Sequence, residues 1–204
     1  MIGLFLAAAA IQLPVETDKT SRQVTRRSPT ISRENITAAV VDLWIDPDGW
    51  VIECKLSRFL GTEQIAVETC GAAAGAKLQP ARDASGNAVY GFYRTGILAF
   101  PPGWEPVASQ MSRNLKMLDR HVDLVISLNA IPDDLASGRL LPLNLVIDQS
   151  GTVVACEPGE GANPNWWSVA CEQATQAEWD RRTSLSGTPV NYVRNIVVEF
   201  QVGD

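Results

Sequence analysis

Four cysteines are the residues of this chain with the most chemistry open to them: Cys54 and Cys70, then Cys156 and Cys171. A cysteine can act as a nucleophile, a metal ligand or half of a disulfide. Nucleophilic work needs a base beside the thiol. The single histidine, His121, lies far in sequence from all four cysteines. Neither HExxH nor CxxC spacing occurs, so zinc has no support. "GEGANP" from Gly159 lacks the third glycine of a nucleotide fingerprint and does not follow a strand into a helix, which makes it a weak phosphate cradle. "GAAAG" from Gly71 reads as an alanine-rich helix face, and Asn35-Ile36-Thr37 fits a glycosylation acceptor. No constellation here makes an active site. The expectation is a non-enzyme with no catalytic residue, cofactor, metal or small-molecule substrate.

Disulfide chemistry is what remains, and its plausibility depends on the elements that carry the cysteines. "DPDGWVIECKL" from Asp46 returns as "DQSGTVVACEP" from Asp148, with Asp46, Gly49 and Cys54 answered by Asp148, Gly151 and Cys156. Further matches keep the same order. Cys70 pairs with Cys171, Leu78 with Trp179, Gly86 and Val89 with Gly187 and Val190, and Phe100 with Phe200. So many ordered matches indicate a tandem duplication, roughly 31–100 and 131–200.

Within a copy, apolar alternation runs up to the Gly turn and again beyond it. Val41, Leu43 and Ile45 precede the first turn; Ile52, Cys54 and Leu56 follow it. This is a β-hairpin whose Asp-Gly or Ser-Gly turn supplies the positive φ. The period then changes. Ala66, Thr69, Cys70, Ala73 and Ala76 make one helical stripe, and Trp167, Ala170, Cys171, Ala174 and Ala177 repeat it. "AVYGFYRTGILAF" and "PVNYVRNIVVEF" read as closing strands. Each copy is therefore strand–turn–strand–helix–strand, a helix on one face of a small antiparallel sheet, and the fold class is α+β.

The expected organisation is a leader over 1–12, a linker over 13–30, domain 1 over 31–100, a connector over 101–130 and domain 2 over 131–204. The connector carries an extra strand (Val122, Leu124, Ile126 and Leu128 alternating) that goes with domain 2.

The elements now bear on the cysteines. In each copy one lies on the second hairpin strand and one on the core stripe of the helix, so both point into one sheet–helix interface. That geometry selects Cys54–Cys70 and Cys156–Cys171 among the possible connectivities. A domain of this size has a thin core and gains from a staple. The plain alternative is four reduced core cysteines. Disulfides would imply an oxidising compartment.

The start of the chain, "MIGLFLAAAAIQLPVETDK", is apolar up to Ala10 with small residues crowding its end. It is too short to span a bilayer and suits the apolar region of an export signal, although no Lys or Arg precedes it. A short retained anchor and an ordinary buried segment are the other readings. With 46% hydrophobic and 20% charged residues the chain is a folded protein, and its formal charge of −6 argues against nucleic acid and anionic membrane surfaces as partners.

Contact residues are the remaining question. Among the tryptophans, Trp167 and Trp179 occupy aligned core positions, which leaves Trp104 and Trp166 as candidates for a contact surface. The last strand, from Val190 to Phe200, has only four residues after it and is expected to be an open sheet edge. An open edge presents unpaired backbone groups, and here Tyr192, Arg194 and Val197 would meet a partner.

Taken together, these motifs resemble the TonB C-terminal domain family: an alternating strand, an acidic-Gly turn with Val two residues on, a helix, then an aromatic or Leu followed by x-Pro, a turn Gly and a final strand ending near Phe. The first copy matches at Asp46-Pro47-Asp48-Gly49-Trp50-Val51, Leu78-Gln79-Pro80, Gly86, Val89 and Phe100. The second matches at Asp148, Gly151, Val153, Trp179, Gly187, Val190 and Phe200, but has Arg181 where the proline stands.

The resemblance implies a domain that captures an extended segment of a protein partner, such as an outer-membrane receptor, as an added strand in the periplasm. Family members also carry a membrane helix and a long Pro-rich spacer for energy transduction, and this sequence departs from both. A structural or envelope-stress scaffold is the alternative from another class.

Overall fold

The computed structural model describes residues 10–15, 36–100, 110–111, 113–114, 121–135 and 139–203. It is mixed α+β and mostly strand. Its residues divide into two compact units that are not simply consecutive. One, the first-copy unit, is drawn from Pro14–Pro80 and Gly91–His121. The other, the second-copy unit, is drawn from Met1–Leu13, Ala81–Tyr90 and Val122–Asp204. The segment Ala81–Tyr90 thus departs from the expected 31–100 grouping. The reason is packing: Ala81, Ala84 and Val89 lie in one apolar cluster with Val146 and Val193.

In the first-copy unit, β1 (Thr37–Ile45) is flanked by β2 (Val51–Leu60) and by the Gly91–Ala99 part of β4 (Ala88–Ala99), both antiparallel to it. Its near-continuous apolar run, "TAAVVDLWI", suits a strand covered on both faces. On one face Val41, Leu43 and Ile45 pack on α1 (Glu63–Ala73) through Ala66, Cys70 and Ala73. On the other, Ala38 and Val40 meet Leu60, Leu98 and Met111. All five residues of the expected stripe, Ala66, Thr69, Cys70, Ala73 and Ala76, are buried.

The second-copy unit repeats the plan. Here β6 (Leu140–Ile147) pairs antiparallel with β7 (Val153–Pro158) and with β8 (Tyr192–Val202), and α2 (Trp167–Gln176) buries Ala170, Cys171 and Ala174. The short β3 (Ala81–Arg82) pairs with the start of β4. One addition has no counterpart among the described residues of the first-copy unit: β5 (Leu124–Leu128) runs parallel to β8, from Leu124 opposite Val198 to Leu128 opposite Val202.

The repeat is visible atom by atom at the turns. Gly49 N donates to Asp46 O at 2.9 Å and Gly151 N to Asp148 O at 3.0 Å, with φ of 87° and 86°. Asp46 Oδ1 accepts from the amides of Asp48 and Trp50, and Asp148 Oδ1 from those of Ser150 and Thr152. Each hairpin then carries the same bulge, between Trp44 and Ile45 and between Val146 and Ile147. The Gly86 and Gly187 turns, both at φ 82°, match as well.

Residues expected in the leader also have a place. Ile11 is buried with Ala81, Val146 and Val193, and Gln12 exchanges backbone hydrogen bonds with Arg82 at 3.0 and 2.9 Å. Of the expected linker over 13–30, residues 16–30 lie outside the described residues, and Val15 exchanges backbone hydrogen bonds with Gln79 at 3.4 and 2.9 Å.

Candidate functional site: strand edges and what closes them

A sheet that binds protein segments does so at an edge, because there the backbone donors and acceptors lack a neighbour. The described edges differ sharply in character. β7 is short, six residues, and ends on Pro158, which has no donor. β2 is ten residues long and, among the described residues, has β1 as its only strand partner, while its first residue, Val51, also exchanges backbone hydrogen bonds with Gly75 and Ala76 at 2.7 and 2.9 Å.

Several features fix β2 in place. Cys54 is joined to Cys70 of α1, with Cα atoms 5.7 Å apart, and Leu56 packs into the same core. On the opposite face Arg94 grips Asp42 through both oxygens, Nε–Oδ1 at 2.6 Å and Nη2–Oδ2 at 2.9 Å, and Nη2 also reaches Ser57 Oγ at 3.4 Å. A guanidinium fork on a carboxylate is geometrically specific, so three strands are tied across one face. Lys55 and Ser57 face solvent. At the turn end Lys77 Nζ sits 4.9 Å from the centroid of the Trp50 ring. The edge is long, braced on both faces and partly charged.

The second disulfide, Cys156–Cys171, fixes β7 to α2 in the same way, with Cα atoms 5.8 Å apart. Two disulfides point to an exported protein. Among the described residues no helix is long and apolar enough to cross a membrane, and no group of three His, Cys, Asp or Glu could hold a metal ion.

The last strand does not match its expected role as an open edge. β8 lies between β6 and β5, and just before β5 begins, Asp123 continues the coverage. Asp123 N donates to Val197 O and Val197 N donates to Asp123 Oδ2, both at 2.9 Å. Val197 therefore has no spare donor. Arg194 is held by the Asp123 carboxylate and lies over the Trp179 ring, 5.4 Å from its centroid. Tyr192 is fully buried and donates to Asp180 O at 2.7 Å; burial raises its phenol above the ordinary value. The physical reason is the connector, which the sequence places beside the second copy without revealing its parallel pairing to β8.

Trp166 is also engaged. Its Nε1 donates to Asp134 Oδ2 at 2.9 Å and its ring meets Phe200 edge-on at 5.7 Å. That hydrogen bond, with a second from Asn165, holds the exposed Asp134 carboxyl below its usual value. Trp104 lies outside the described residues. The sequence reading passed over β2 and Asp123. Asp123 could have been found as the lone acid at the head of the alternating connector strand, matched to Arg194 as the lone cation of its neighbour.

No family model matches the chain, and neither the curated proteins nor the solved structures contain a significant match to it.

Proposed function

We propose that this is a periplasmic protein-binding module that takes an extended segment of a partner onto the open edge of β2 by strand addition. The observation that carries the reading is a ten-residue strand whose only strand partner among the described residues is β1, closed on its outer side at Val51 by Gly75 and Ala76 and pinned by a disulfide to the helix behind it. Strand addition draws its affinity from backbone hydrogen bonds and its selectivity from alternate side chains. The resemblance of each copy to the TonB C-terminal domain supports the same mode, with two tandem domains of that type and an envelope protein such as an outer-membrane receptor as the source of the segment. In this reading the second copy is the scaffold, since its last strand is covered and its outer strand is short and ends on proline.

Photo-crosslinking side chains placed singly at Lys55 and Ser57 should capture the partner in cells that express the protein. The same group at Glu68, on the exposed face of α1, should not. Capture from Glu68 as strong as from Lys55 and Ser57, or none from β2, would overturn the proposal.

A further inference from the structure

We propose that the chain is cut between Ala10 and Ile11, and that the new α-ammonium of Ile11 pairs with the Glu157 carboxylate, so that the processed N-terminus becomes part of the second-copy unit. Ile11 is 5% exposed, inside the cluster of Ala81, Val146 and Val193, and its nitrogen lies 2.8 Å from Glu157 Oε2. Gln12 is paired to Arg82 in both directions. Ala10, one residue earlier, is exposed. Burial thus begins at Ile11, the residue after the exposed Ala10.

The sequence before Ile11 provides the matching signal. The apolar run ends in four alanines, Ala7 to Ala10, and export peptidases require small residues at the last position before the cut and two positions earlier. Two registers satisfy this, Ala7 with Ala9 and Ala8 with Ala10. The structure separates them. A cut after Ala9 would put Ala10 between the new amine and Glu157. Any cut beyond Ile11 would remove a buried side chain and its cluster contacts. Only a cut after Ala10 places the new charge on the nitrogen that already faces a carboxylate.

The reaction is hydrolysis by water, catalysed by a membrane peptidase of Ala-x-Ala specificity. The Ala10–Ile11 amide breaks, Ala10 keeps the carboxylate, and the departing amine takes up a proton. An amide N–H at this position gives Glu157 one neutral donor, whereas an ammonium gives it a full opposite charge and a stronger, charge-assisted bond.

The charged groups on the surrounding elements do not compete for this pair. β6 carries none. Arg82 of β3 donates to Gly86 O. On β8, Arg194 is held by Asp123 on the face opposite Val193, and Glu199 sits at the far end, opposite Leu140. A carboxylate neighbour raises an amine's pKa above its ordinary value of about 7.7–8.0. The contribution of the pair is then fully present below that range and is lost as pH rises through the raised value.

The full chain should be expressed with export and its N-terminus read by intact mass and N-terminal sequencing. The expected start is Ile11. A start at Met1, at Ala10 or beyond Ile11 overturns the proposal. Ala10→Leu, at an exposed position, should abolish the Ile11 start, and unchanged processing would count against the site. Glu157→Gln should leave the start unchanged but lower the unfolding midpoint of the processed protein, with the gap to wild type closing as pH is raised from 7 to about 10. A gap that is constant over this range shows that the nitrogen is not a titrating ammonium and refutes the ion pair.

Discussion

Replacing Gly49 by alanine tests the turn that starts the candidate binding strand, and Gly187 supplies its control. Both glycines have positive φ, 87° and 82°, so both alanines carry the left-handed backbone cost of about 1–2 kcal/mol. They differ in surroundings. A Cβ at Gly187 meets nothing within 4 Å, whereas at Gly49 it would lie 2.2 Å from the Leu78 carbonyl oxygen. That oxygen belongs to backbone and must retreat by close to an ångström. Its residue is 3% exposed, lies in the α1 core and donates its own amide to Gly49 O at 2.8 Å. Losing that bond costs about 1 kcal/mol, and displacing packed core adds about 1–3 kcal/mol. Gly49→Ala should therefore cost about 3–6 kcal/mol and Gly187→Ala about 1–2 kcal/mol. Gly151→Ala should resemble Gly49→Ala, because its Cβ would meet Trp179 O at 2.5 Å. Urea unfolding gives the totals, and peptide-resolved hydrogen exchange should place the Gly49→Ala loss in 37–60. Equal losses for Gly49→Ala and Gly187→Ala would refute the steric reasoning, because the φ cost is common to both.

Removing either disulfide by paired Cys→Ala should cost about 3 kcal/mol in the chain-entropy model, nearly equal in the two copies because the separations are 16 and 15 residues; urea titrations of the two variants measure it. Asp123→Ala should cost about 3–5 kcal/mol, since it strips a buried guanidinium of its carboxylate and Val197 N of its acceptor; protection of the β8 amides from hydrogen exchange should fall with it. Hydrogen bonds from Ser150 and Thr152 hold the Asp148 carboxyl below 3.8 in the folded chain. Its contribution is present above the unfolded value and is lost as pH falls through the folded one, so Asp148→Asn should flatten the acid limb of the stability profile below about pH 4.

The hairpins and the helix stripes were legible because each rests on short-range chemistry. An Asp-x-x-Gly turn folds on its own hydrogen bonds, and a 3.6-residue stripe shows which face is covered. The cysteine pairs followed because both members lie on faces that this periodicity identifies. Partnership between distant strands was not legible. Nothing in "DLVISL" says that it will run parallel to β8 rather than extend a hairpin, and that pairing covers the Val198–Val202 end of an expected edge. The placement of Ala81–Tyr90 was hidden for the same reason, since its small apolar residues suit either copy and the choice lies in long-range packing. Ile11 has no local signature at all, because a single isoleucine after an alanine run reads equally as leader or as core.

Where the copies differ, they differ in how equivalent positions are satisfied, and this separates their roles. Asp42 and Arg94, opposite each other on β1 and β4, form an ion pair; their counterparts Asn144 and Asn195 are joined by an amide hydrogen bond at 3.0 Å. The first arrangement extends to Ser57 on β2 and so braces the outer strand from the face that α1 does not cover. The second reaches back to Leu143 O on its own sheet partner, and β7 is held instead by the disulfide on one face and by the Ile11 nitrogen on Glu157 on the other. On the other face Tyr93 packs in the first-copy core, while the matching Arg194 recruits Asp123 and with it the connector. One copy thus uses an ion pair to brace its outer strand, and the other uses one to cover its last strand. A strand held ready on both faces loses little conformational entropy when a segment docks along it, and preorganisation of that kind favours binding. On this reasoning Arg94→Met, which retains much of the stem and removes the fork, should leave the fold intact. It should speed hydrogen exchange along Val51–Leu60 and weaken capture from Ser57. Unchanged exchange along β2 would show that the ion pair does not brace the edge.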